Sequence, residues 1–152
     1  MLSKTISLTP TVEATPDYAD GDVIGGKMTL TGAARAGGDG GAVVAAAVYS
    51  KVDIAASIPI RVILFNADPS ASTFTENSAP SIHADDLSKI IGVLDLSQRL
   101  DLGTPVTLFA SNPNVPFSLP IAPHLYAVAI AGGIINLGGA ADLTFVFGLR
   151  QD

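Results

Sequence analysis

The stretch LTFVFGL, residues 143–149, sets Leu143, Phe145, Phe147 and Leu149 on one side and Thr144, Val146 and Gly148 on the other. A repeat of two is the period of an extended strand, whose successive side chains point to opposite faces. The same alternation recurs upstream. Thr5-Ile6-Ser7-Leu8-Thr9 puts Ile6 and Leu8 on one face, and Lys27-Met28-Thr29-Leu30-Thr31 does so with Met28 and Leu30. Residues 125–131 alternate Tyr126, Val128 and Ile130 against Ala127, Ala129 and Ala131. Residues 60–65 are apolar on both faces apart from Arg61, the pattern of a central strand. Residues 90–96 and 106–109 supply further strands. Residues 42–50 carry four alanines that favour helix, against Val43, Val44, Val48 and Tyr49 that favour strand. With strands on either side, strand is the expectation.

Turn formers separate these runs: Asp20-Gly21, the glycine patch at 37–41, Asp68-Pro69-Ser70, Asn112-Pro113-Asn114 and Gly138-Gly139. The glycine patch reads as a flexible hairpin tip or long loop. Ten prolines oppose long helices. One segment, 84–89, reads as a short helix, with Ser81 or His83 placed to cap it and Asp85 and Asp86 in its first turn. Behind them, Leu87, Ile90 and Ile91 fall at i, i+3 and i+4 and are expected to share one face against the sheet. The expected fold is a single all-β domain over 1–152, a jelly-roll-like sandwich with one short helix.

The composition narrows the function. Of the 152 residues, 48% are hydrophobic and 14% charged, against roughly 25% charged in ordinary domains. Mean hydropathy is +0.46, yet the apolar runs fall well short of the ~20 residues of a membrane-spanning helix. A low-charge surface is expected on a subunit covered by neighbours. The net charge of −6 and eight scattered basic residues oppose direct nucleic-acid binding. Cysteine is absent, which removes disulfides and thiolate metal sites. Met1-Leu2-Ser3-Lys4 leads into an alternating segment and not into the apolar run of a signal peptide.

Residues 64–97 gather the most reactive side chains, and each has a structural reading. From Gly38, Gly40 fits a dinucleotide loop but position 43 is valine, so the pattern fails. His83, Asp85 and Asp86 lie together with Glu76 near, and His124 is the one other histidine. A zinc site from His83, His124 and a carboxylate competes with acids that simply start a helix; the second reading is preferred. Asp17, Asp20 and Asp22 lack the spacing of a calcium loop. No G-x-S-x-G elbow is present. The chain has no Trp, and Phe65, Phe109, Phe145 and Phe147 sit in strand-like runs where core packing is the default. No catalytic, cofactor or metal residue is assigned. Phe65 is expected to end a buried strand, Pro69 to fix a turn and Phe74 to anchor the loop.

The run Ile63-Leu64-Phe65-Asn66-Ala67-Asp68-Pro69-Ser70, then Ser72-Thr73-Phe74-Thr75-Glu76-Asn77, then Asp85-Asp86-Leu87-Ser88-Lys89-Ile90-Ile91-Gly92-Val93, resembles a segment of small virion proteins of tailed bacteriophages. The resemblance covers about thirty residues and is not a catalytic motif. It implies a non-enzymatic head decoration or cement protein on the capsid surface. Its partners would be the major capsid protein and further copies of itself, for instance as a trimer. The competing reading is a receptor- or carbohydrate-binding module of a tail or fibre, which requires a concave aromatic- or acid-lined pocket. A β-barrel enzyme using His83 or His124 is a third.

Three segments are candidates for an assembly interface. Residues 1–16, with Ile6 and Leu8, form either an arm over a neighbour or an edge strand. The alanine face of 125–131 (Ala127 and Ala129, with Tyr126) suggests close approach of another layer or subunit. The loop 112–123 holds Phe117 and is stiffened by Pro113, Pro116, Pro120 and Pro123, which lowers the entropy lost on docking.

Overall fold

The structure is a computed structural model and describes residues 2–152. Among the described residues nine strands form: β1 (Leu2–Leu8), β2 (Val23–Leu30), β3 (Gly40–Ser50), β4 (Ile60–Phe65), β5 (Ile90–Asp101), β6 (Val106–Ala110), β7 (Val115–Ser118), β8 (Leu125–Ala131) and β9 (Leu143–Gln151). One 3-10 helix, Ala84–Lys89, precedes β5. The protein is all-β, as the alternation predicts, and residues 42–50 are strand.

The strand order is β1-β9-β3-β6-β5-β4-β8-β2, antiparallel throughout, with β7 added beside the start of β3. It is the order of one long antiparallel ribbon rolled up. Along the ribbon, β1 pairs β9, β2 pairs β8, β3 pairs β6 and β4 pairs β5. Rolling adds the contacts β3·β9, β4·β8 and β5·β6. The expected pair of separate facing sheets is not found. β5 hydrogen-bonds to β6 across a bulge near Leu96 and Gln98, so the strands join in one curled sheet.

The concave side holds the core. β9 alternates without a break, and Leu143, Phe145, Phe147 and Leu149 are buried among Leu30, Val48, Ile60, Leu96 and Leu125. No backbone ladder joins the outer strands β1 and β2; side chains of β1 and β9 reach instead to the turn after β2. Lys4 Nζ donates to Gly32 O at 2.9 Å, and buried Gln151 Nε2 donates to Gly32 O and Ala33 O at 2.9 and 3.0 Å. Pro10 packs on Gly25, whose positive φ lies in a bulge of β2 and where any Cβ would sit 2.6 Å from the proline ring.

Part of the glycine patch is sheet and not a loose tip. Gly40 and Gly41 open β3, and a Cβ on Gly41 would collide with the Arg150 carbonyl. Residues 2–8 take the edge-strand reading and not that of a free arm: β1 pairs with β9 along its whole length and Ile6 is buried in this chain's own core.

The crossover between β4 and β5 folds back over the convex side of β4, β8 and β2. There it buries a second, smaller core of Val23, Phe65 and Val128 beneath Phe74, Ile90, Tyr126 and Ile130. Phe74 meets Phe65 edge to face, centroids 5.9 Å apart. The backbone of Asn77 and Ser78 also bonds to Val23, covering part of the outer edge of β2.

Candidate functional site

The acidic and hydroxyl residues of the crossover hold it in shape. His83 is the N-cap of the 3-10 helix, its Nδ1 accepting from Asp85 N at 3.2 Å. Asp86 is fully buried, accepting from Ser72 Oγ and Lys89 Nζ, each at 2.6 Å. The Lys89 ammonium and the Ser72 hydroxyl hold the Asp86 carboxyl below the usual aspartate range. Ser72 Oγ in turn accepts from His83 N at 2.9 Å. Glu76 accepts from the Tyr18 hydroxyl and the Gly25 amide. Burial pushes its carboxyl above the ordinary value, and those two hydrogen bonds only partly offset it. Leu87 departs from the expected inward face and is 57% exposed, because a 3-10 turn places it differently from the α-helix its spacing implies.

His124 sits elsewhere, its Nδ1 accepting from Gly32 N at 3.2 Å. Among the described residues no group of three His, Cys, Asp or Glu side chains is placed to hold a metal ion. Among the described residues no helix is long and apolar enough to cross a membrane.

Most of the expected interface residues are turned inward. Ala127 and Ala129 are fully buried in the main core, so no surface is left there for a second subunit. Tyr126, on the opposite face of β8, is half-buried under the crossover. Phe117 and Ile6 are core residues, and Leu8 packs partly buried against the core. The loop 112–123 contains β7, which inserts Phe117 and leaves Pro116 and Pro120 exposed, with Pro113 half-buried. Pro116 is tolerated because β7 pairs on one side only, with the start of β3.

A surface missed by the sequence reading lies on the convex side of β1, β9, β3 and β6, where the chain lays no crossover. In register, Thr5 lies opposite Gly148, Gly148 opposite Ala45, Ala47 opposite Val146, and Ala47 opposite Phe109. Tyr49 and Phe109 stand out from it at 45% and 38% exposure. A shallow hollow of about 200 Å³ lies over these residues, and a neighbouring groove of about 520 Å³ runs past Tyr49 toward Leu102, Pro105 and Thr144. Gly148 keeps the face flat, since a Cβ there would press on the Ala45 Cβ at 3.0 Å. None of the face residues just named is ionisable except the Tyr49 phenol; Lys51, Asp142 and Arg150 stand at its margins. The signal was in the sequence as the complementary half of each alternation: Thr144, Val146 and Gly148 are as uncharged as the core half.

A second concavity, about 240 Å³, lies between the crossover and the segment before β8, lined by Asn66, Asp68, Ser70, Lys89, His124 and Tyr126 among others.

The fold and these surfaces define an all-β domain with one covered and one uncovered convex half. No protein-family model and no curated protein matches the chain.

Proposed function

We propose that this protein is a non-enzymatic structural subunit that packs, through the uncovered face of β1-β9-β3-β6, against a second copy of itself. The observation that carries this reading is the asymmetry of the convex side. One half is buried by the chain's own crossover; the other is flat, uncharged and studded with Tyr49 and Phe109. Strands of 7, 9, 11 and 5 residues, ~4.8 Å apart and rising ~3.4 Å per residue, give roughly 500 Å² of flat face. Tyr49 and Phe109 project beyond it, toward the ~600–1,000 Å² per partner of a stable interface. A second copy is the fitting occupant because the face presents no acidic side chain, so two copies of this acidic chain meet there without a short-range like-charge contact.

The likeness of residues 63–93 to small virion proteins of tailed bacteriophages extends the proposal. The assembled subunits decorate or cement a capsid, with the major capsid protein as the further partner, where many weak contacts on a lattice add up. The rolled-ribbon strand order supports the jelly-roll reading that goes with this role.

Light scattering tests the self-association. The wild type is expected at a multiple of 15.4 kDa, and Val146→Asp, a surface change, at 15.4 kDa with unchanged circular dichroism. A wild type that stays at 15.4 kDa at high concentration sinks the proposal.

A further inference from the structure

The pocket beside the crossover has a chemistry of its own, on strands other than those of the packing face. Its charges are already matched. Lys89 Nζ is held by Asp86 Oδ1 at 2.6 Å and Asp68 O at 2.7 Å. Asp68 Oδ1 accepts from Lys27 Nζ at 2.5 Å, and that ammonium also lies 5.8 Å from the Tyr126 ring centre. An ionic ligand would have to displace these pairs.

Other polar groups on the lining are uncommitted. His124 Nδ1 accepts from the Gly32 amide, so the neutral ring carries its proton on Nε2, a free donor. Among the described residues, the Ser70 and Tyr126 hydroxyls take no hydrogen-bond partner, and Asn66 commits only its Nδ2, to Ser118 O at 3.4 Å. These neutral donors and acceptors rim a lining of Ala67, Ala122 and the Tyr126 side chain, with the exposed Ile121 side chain at its edge. At about 240 Å³ the pocket is smaller than the ~300–1,000 Å³ of drug-sized sites. It suits one small ring with an apolar side and a hydroxylated edge.

We propose that this pocket binds a single neutral pyranose ring, as a terminal sugar of a glycan. The hydroxyls meet His124 Nε2, Ser70 Oγ, Tyr126 Oη and the Asn66 amide oxygen, and the C–H face lies on Ala122 and Ile121. The site does not depend on self-association.

Ligand-observed saturation-transfer NMR on the full chain tests it, with the methyl glycosides of glucose, galactose, mannose and N-acetylglucosamine as probes. Methyl glucuronide and inorganic phosphate are the charged comparisons. At least one neutral glycoside is expected to receive saturation. Ser70→Ala, at an exposed and unpaired hydroxyl, weakens it about three- to tenfold, the loss of one hydrogen bond. Ala122→Phe fills the pocket and abolishes it, while Val146→Asp leaves it unchanged whatever the oligomeric state. The inference is overturned if no neutral glycoside receives saturation, if Ser70→Ala and Ala122→Phe bind like the wild type, or if a charged probe outcompetes every neutral one.

Discussion

Two carboxyls of the crossover, buried Asp86 and half-buried Glu76, respond to pH in opposite directions. Asp86 is held in its charged form by Lys89 and Ser72, so its folded pKa lies below the unfolded one. Its contribution is present above the ordinary aspartate value and lost as pH falls through the lower folded value. Glu76 is pushed up, chiefly by burial. Its contribution is full below the ordinary value of 4.5 and is lost as pH rises through the raised one. Against Glu76→Gln, which is neutral at every pH, the wild type is therefore expected to lose relative stability as pH rises from the ordinary value of 4.5 through the raised one. Against Asp86→Asn it is expected to gain stability as pH rises from the lowered folded value through the ordinary aspartate value of 3.8. Urea unfolding at stepped pH measures both slopes, and a Glu76 slope of the opposite sign would mean that the carboxylate is the preferred form. Gln151 is the third informative residue, because its amide alone ties the end of β9 to both Gly32 O and Ala33 O in the turn after β2. Gln151→Ala leaves Ala33 O without that donor in a buried spot and is expected to cost about 1–3 kcal/mol, read as a lower urea midpoint at unchanged m-value.

β8 shows at the level of an element what the sequence made legible and what it hid. Its alternation of large and small residues gave the strand and its bounds, but not which face looked inward. The small face lies in the main core and the large face lies under the crossover. Periodicity assigns residues to two faces; it does not say that a distant loop will return to cover one of them. β7 was hidden for a related reason: prolines at 113, 116 and 120 read as a stiff loop, and only pairing with the glycine-bearing start of β3 makes Pro116 a strand residue. The anchoring of the crossover by Phe74 and the capping by His83 were legible, because both rest on local chemistry. If the second core is what fixes the crossover, Phe65→Ala should cost about 3–5 kcal/mol, as for a fully buried aromatic. Phe74→Ala, at a half-buried position, should cost less, about 1–3 kcal/mol. Phe74→Ala should also raise amide exchange at Asn77 and Val23, whose backbone bonds tie the crossover to β2. Slow exchange retained there would show that the loop stands on its hydrogen bonds alone.

For the whole molecule, charge and apolar area act against each other, and salt separates them. Each chain carries −6, so two copies repel at long range whichever faces they present. The face of β1, β9, β3 and β6 contributes no ion pair to offset that repulsion, only contact among Ala45, Ala47, Val146, Tyr49 and Phe109. Added salt shortens the screening length from about 30 Å at 0.01 M to about 10 Å at 0.1 M, weakening the repulsion while leaving apolar contact intact. Self-association through this face is therefore expected to strengthen as salt rises over that range, and sedimentation velocity at matched protein concentration measures it. An interface built on the margin charges Lys51, Asp142 and Arg150 would respond the other way and loosen. The two responses differ in sign. Strengthening that disappears in Val146→Asp identifies the uncharged face as the contact, whereas loosening moves the contact to the rim.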